Sequence, residues 1–433
     1  MKSLSFVDQI CFDKVFSRNS SNMFIHDVDD DGDNEMIIGH WNNEGFDCDE
    51  TSDGKLYILK YKSLYKYIEI NMISAVGAGE LRSNFTYIIA TSYNEKIYLL
   101  DAKTNDEKIN IILNQKIPFN AKHISVMSNG NLAIAHSDRI IRMYQYNWKE
   151  NYLQIVKKWE SANQIGQITS HIYDNLEECI LASQIGGGFI KLEMEDENDI
   201  PMLQYFPPKN FENRNADMRT WIVGNVRRQM VNEQGNEYEE RYVVISVADG
   251  TLQMISTQNN QTSLIWNAQL HNKGELFGLT KLSLTENSKE DTICICSWDG
   301  VCYLLNYRRE ILRFQLGQSA QAFTAGKYAV EPGRNEPILV FSTCNQKLII
   351  HYNLQVDSLK IKSLAHHNHS ITGLLERVKI LAVQMNIEAP FDQILTDQKS
   401  QIKIIDFLLN KSASLKDIDQ KRREFKMILR SCL

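Results

Sequence analysis

The sequence predicts an all-β protein, a seven-bladed β-propeller of four-stranded blades, carrying a C-terminal α-helical tail. Three observations predict it. A strand–turn–strand unit recurs seven times, an orphan strand precedes the first unit, and the apolar period changes from two to helical after Leu359. At 433 residues the chain exceeds one ordinary domain. A propeller accommodates such length because each blade buries its faces against its neighbours.

In order, the units read MIIGHW…SDGKLYILKY, YIIATSYNEKIYLLDA, LAIAHSDRIIRMYQY, CILASQIGGGFIKLEM, VVISVADGTLQMIST, CICSWDGVCYLLNY and ILVFSTCNQKLIIHY. Their turn residues Gly54, Glu95, Asp138, Gly188, Gly250, Gly300 and Gln346 recur at about the 40–50-residue interval of propeller blades, with a longer step before Gly250. Asp-Gly at Asp53, Asp249 and Asp299 predicts tight hairpins, since both residues of such a pair tolerate positive φ.

A further strand precedes each pair, from MFIHDVD in the first unit to AFTAGKYAV in the seventh. Its small and β-branched residues suit the crowded axis. A fourth strand follows most units, as in YKYIEI, INIILNQKI, LQIVKKW, SLIWNAQL and ILRFQLG. SLSFVDQICF alternates like a fourth strand and is expected to complete blade seven, which removes an exposed edge.

Between Glu195 and Thr220 blade five is expected to carry an insertion containing Pro201, Pro207 and Pro208. Its aromatics Tyr205, Phe206 and Phe211 are candidate partner contacts, because aromatics are enriched at binding hot spots.

The propeller is assigned to residues 1–359 and a helical extension to residues 360–433. Ser370 is a candidate N-cap for a helix with Ile371, Leu374, Leu375, Val378 and Leu381 on one face. Pro390 separates it from a second helix. Ser414 starts a third, whose stripe includes Phe425 and Leu429, two further candidate partner contacts beside the basic run Lys421–Lys426. That run reads as a solvated face, with anionic lipid as the alternative.

An apolar fraction of 43% with 23% charged residues is that of a soluble globular chain. No run approaches the ~18 apolar residues of a membrane helix. The N-terminus, interrupted by Asp8 and Asp13, does not read as a secretory signal, and none of the eight cysteines forms a C-x-x-C pair. A reduced, cytoplasmic protein is expected. Residues 361–433 hold 12 basic and 8 acidic residues, a net +4, so the remainder carries −11 of the chain's net −7. Such a propeller is a poor nucleic-acid binder.

HDVDDDGDNE is the sharpest local motif. Asp27, Asp29, Asp31, Asp33 and Glu35 surround Gly32, and alternating carboxylates on a glycine-containing loop suit Ca²⁺. The loop is similar to the FG-GAP loop of integrin-type propellers. The alternative is an acidic turn held by side-chain-to-backbone bonds. Only this unit carries the full set. Trp298-Asp299 lies in a mid-blade turn without a Gly-His partner, so the blades read as degenerate FG-GAP-like rather than WD40. His366, His367 and His369 read as linker, and Cys294, Cys296 and Cys302 as core thiols. No catalytic nucleophile, P-loop or dinucleotide fingerprint is present, so no enzyme is expected.

SLSFVDQICF, DVDDDGDNEMIIG, HSDRIIRMYQYNW and above all the stretch from Ser297 to Gln355 come in the order of one known family. The chain resembles the integrin-alpha FG-GAP repeat-containing protein 2 family, departing from it at NNEGFDCDETSD in blade one and in the tail. The resemblance implies a scaffold subunit of the KICSTOR complex, paired with the propeller kaptin and a large scaffold subunit. It also implies recruitment of the GATOR assembly to the lysosomal membrane, peripherally, and restraint of TOR kinase when amino acids fall. A Ca²⁺-binding adhesion propeller and a trafficking-coat propeller are the alternative readings.

Overall fold

The computed structural model describes residues 7–354, except 42–53, 83–84, 104–107, 174–176, 195–202, 206–218, 232–236, 259–260, 271–275 and 285–289. The chain divides into two units, Met1–Lys360 and Ile361–Leu433. The second, with the expected helices and with Phe425 and Leu429, lies outside the described residues.

The described residues form seven antiparallel sheets of four strands. Six are consecutive in sequence. The seventh joins Asp8–Asp13 to Lys347–Tyr352, Arg334–Thr343 and Ala320–Glu331, so the N-terminal strand closes blade seven as expected. Asp8 pairs with Tyr352 and Asp13 with Lys347.

Seven hydrophobic clusters lie between successive blades, one at every interface of the ring. Blade six meets blade five through Leu276, Ile293 and Tyr303 against Val244, Leu252 and Trp266. Blade seven meets blade one through Ile338, Val340 and Leu348 against Met23, Met36 and Ile38. Cys294, Cys296 and Cys302 are buried between blades six and seven, where burial pushes their thiols well above the usual range.

Strands alternate in direction, so all connections entering a blade's first strand emerge on one face, together with the turns between second and third strands. This is called the entry face below. On it, the 3-10 turn Ser20–Asn22 inserts into the axis. Ser20 Oγ accepts from the Phe323 amide at 3.1 Å, and Asn22 Nδ2 donates to the Ile73 carbonyl at 3.3 Å.

Two expectations are corrected. The Asp249-Gly250 and Asp299-Gly300 turns are three-residue loops in which glycine alone takes positive φ (89° and 78°). The amides of Gly250 and Gly300 close onto Val247 and Ser297 at 3.0 and 2.9 Å. The aspartates cap the next strands instead, since Asp249 Oδ1 accepts from Thr251 N at 2.9 Å. At Gly300 a Cβ would also meet the Gln318 carbonyl. Gly54 and Gly188, by contrast, are the first residues of strands rather than turn residues, and Asp53 lies outside the described residues.

The second correction concerns the supposed blade-five insertion. Leu203–Tyr205 is the outer strand of blade four, with Phe189 opposite Tyr205 and Ile190 opposite Leu203. A three-residue strand is too short to show a period, which explains why it escaped the sequence pattern.

Candidate functional site

The acidic loop joins the strands Met23–His26 and Glu35–Trp41 of blade one. Its own side chains fold it. Asp27 Oδ2 accepts from Gly32 N at 2.8 Å, Asp31 Oδ1 from Asp33 N at 3.0 Å, and Glu35 Oε2 from Val28 N at 2.9 Å. Asp27, Asp29 and Glu35 bring carboxylate oxygens within 4.8 Å of one another.

The centre of this cluster is a lysine. Lys60 ends the strand Gly54–Lys60, hydrogen-bonded neighbour of Glu35–Trp41. Its Nζ lies 2.7 Å from Asp29, 2.7 Å from Asp31 and 2.8 Å from Glu35. The side chains of Lys60 and Glu35 are 7% and 0% exposed. Tyr61 and Tyr65 place ring faces 5.7 and 5.3 Å from the ammonium.

Burial lifts the Glu35 carboxyl to about 7, opposed by the Lys60 ammonium and the Val28 amide. Burial works against the Lys60 ammonium, but its bonds to three carboxylates outweigh that and hold its pKa above the ordinary value. Asp31 is lowered, because its bonds to Lys60 and to the Asp33 amide together overcome desolvation.

This donor set does not fit a resident divalent cation. Ca²⁺ requires six to eight oxygens, and three of the candidate carboxylates already share an ammonium. A metal ion seated there would stand against a second cation at close range. Asp27 Oδ1 and Asp29 Oδ1 are buried without a hydrogen-bond partner, so the cluster keeps negative character beyond what Lys60 balances.

Asp33 faces elsewhere. It accepts from Tyr61 Oη at 2.9 Å and from the Gly333 amide of blade seven at 3.0 Å. Asn34 Nδ2 donates to the Lys327 carbonyl at 2.8 Å, and Asn335 Nδ2 to the Gly32 carbonyl at 2.7 Å. The loop therefore staples blade one to blade seven, at the seam where the ring closes.

Of the candidate partner contacts, Tyr205 is 8% exposed and stacks on Phe189 at 5.9 Å. It is a blade-core residue, turned inward by its place in the outer strand, and is not free to meet a partner. Phe206 and Phe211 lie outside the described residues. Aromatic surface is found elsewhere. On the face opposite the entry face, Phe85 and Trp148 are exposed, with the Arg82 guanidinium 5.7 Å from each ring and Lys103 Nζ 4.2 Å from Phe85. Exposed aromatics bracketed by cations make the kind of surface enriched at protein interfaces. Neither ring stood out in the sequence, because Phe85 is the exposed first residue of the strand Phe85–Ser92 and Trp148 sits in a turn, both outside the buried alternation.

The family described as integrin-alpha FG-GAP repeat-containing protein 2 matches residues 61–205 and 196–356. A mouse (Mus musculus) protein named KICSTOR complex protein ITFG2 is 25% identical over 412 residues, covering 84% of this chain and 88% of the relative. A bovine (Bos taurus) protein of the same name is 24% identical over 410 residues, covering 84% and 74%. Among solved structures, BBS1N in complex with ARL6DN superposes with TM-scores of 0.53 and 0.55 at 12% and 11% identity. It covers 78% and 79% of this chain and 93% and 94% of the other, and shares the propeller fold alone.

Proposed function

Because the chain belongs to the integrin-alpha FG-GAP repeat-containing protein 2 family, we propose that it is a non-enzymatic propeller subunit of a KICSTOR-like complex. In that role it joins a kaptin-like propeller and a large scaffold subunit. The assembled complex recruits GATOR to the lysosomal membrane and restrains TOR kinase when amino acids are scarce.

The observation that carries this reading is the extent of the family match, which runs from the end of blade one through blade seven. The interior chemistry supports a scaffold. His171 is buried, accepts from Asn225 N at 3.0 Å on Nδ1 and so donates from Nε2 to Thr257 Oγ1 at 2.9 Å. His136 bridges the Phe119 carbonyl at 2.9 Å and the Tyr144 hydroxyl at 3.2 Å. Burial pushes the Cys179 thiol up to about 12, away from nucleophilic thiolate. These groups tie strands together.

Affinity purification of the tagged chain from its own cells, read by mass spectrometry, tests the proposal. Recovery of a kaptin-like propeller with a very large scaffold subunit is the expected result. Recovery of vesicle-coat subunits in their place would overturn it.

A further inference from the structure

A cavity of about 310 Å³ opens at the axis on the entry face. Connections from blades seven, one, two, five and six build it. Arg18 comes from the link into blade one and Arg219 from the link into blade five. Tyr93 and Trp298 stand on second-to-third-strand turns, and Trp221 and Phe277 begin the first strands of blades five and six. The Ser20–Asn22 turn lies between this cavity and a smaller one of about 160 Å³ further along the axis.

Two features mark the mouth as a recognition surface. The first is its charge. In a chain of net charge −7, the ionic residues among the described residues of the lining are both arginines, and no described carboxylate lines the cavity. Among the described residues neither Arg18 nor Arg219 makes an ion pair. The second is aromatic exposure. Tyr93 and Trp298 are 43% and 41% exposed, and Trp298 leans on Phe277 with ring centroids 5.3 Å apart. Guanidinium forks beside open aromatic rings take a carboxylate together with an adjoining apolar side chain.

We propose that this mouth docks an acidic peptide segment of a partner protein, with Arg18 and Arg219 holding carboxylates and Trp298 and Tyr93 covering a neighbouring apolar side chain. The proposal rests on the reading of the chain as a complex subunit and names the surface and the chemistry of one contact. The size of the cavity suits one or two side chains rather than a polymer backbone. A nucleic acid requires a basic surface along many phosphates, and a lipid surface a cluster of about four to eight basic residues; two arginines in a concave mouth supply neither. A free small anion would leave the exposed Trp298 ring uncovered, whereas a peptide chain leaving the cavity lies across it.

The test selects a phage-displayed library of random dodecapeptides on the purified full chain. The strongest peptide is then labelled and titrated by fluorescence polarisation. Peptides rich in Asp and Glu beside aromatic or aliphatic residues are the expected product, with binding that weakens as salt rises. Arg18→Gln and Arg219→Gln should each weaken binding about tenfold, Trp298→Ala should weaken it too, and Arg334→Gln, on the opposite face, should leave it unchanged. Matched melting temperatures establish that the variants are folded. Selection of non-acidic peptides, or equal binding to the Arg18→Gln/Arg219→Gln double variant, overturns the proposal. So does stronger competition by single-stranded DNA or phosphatidylserine vesicles than by the peptide. The selection uses the isolated chain, so its failure is separate from failure of the complex reading, which the co-purification described above decides.

Discussion

The ammonium of Lys60 lies 2.8 Å from the carboxylate of Glu35, a side chain with no exposure at all. Alternating carboxylates around a glycine lead one to expect a metal in such a loop, and here a lysine from the neighbouring strand lies among them. Two ion pairs to Asp29 and Asp31 complete the arrangement.

Lys60→Met should therefore lower stability by about 3 kcal/mol, because removing one partner leaves buried carboxylates without a counter-charge. The melting temperature of the wild-type chain should not respond to millimolar Ca²⁺. That of the Lys60→Met variant should rise, as the freed oxygens of Asp29, Asp31 and Glu35 become available. A Ca²⁺-stabilised wild type would refute the lysine-centred site.

Stability should fall on acidification below about pH 6.5. Burial lowers His171 to about 3, and His136 and His351 to about 4. A histidine held neutral in the fold stabilises it fully above the ordinary value of 6.5. That contribution is lost as pH falls toward the folded values, at roughly 1.4 kcal/mol per unit. Glu35, raised from 4.5 to about 7, acts in the opposite sense, since its protonated form suits the buried site as pH falls through that window. Three histidines against one carboxyl set the net sign. Denaturant titrations at pH 7.5, 6 and 5 measure it, and greater stability at pH 5 would contradict it.

Deleting residues 1–13 should remove the outer strand of blade seven and expose the edge of Lys347–Tyr352. Loss of that ladder should cost on the order of 5 kcal/mol, at roughly 1 kcal/mol per hydrogen bond. The bare edge should also promote self-association, visible by light scattering. An unchanged melting temperature would show that the ring does not depend on this closure.

Tyr205→Ser should destabilise the fold by about 3 kcal/mol through lost packing on Phe189. Thermal melts check this. A fully stable Tyr205→Ser variant that sheds a binding partner would return Tyr205 to the role of surface contact.

The number of blades, the three inner strands of each, and the closing strand were all legible in the sequence. Their signal is local, an alternation of apolar residues between turn residues, and alternation is what a strand buried between neighbours imposes. The acidic loop was legible for the same reason, as a run of carboxylates around one glycine. What lay across strands was not. Lys60 is 25 residues from Glu35 in the chain, and no pattern in either segment says that strand register will set its ammonium among the carboxylates. Leu203–Tyr205 became a strand because blade four had an open edge beside Phe189. The axial mouth joins Arg18 to Arg219 only when the ring closes. Side-chain alternation is a property of each strand by itself, and the sequence alone determined it. Charge pairing and the lining of the axis depend on register between strands and on closure of the whole ring, so the tertiary structure decided them.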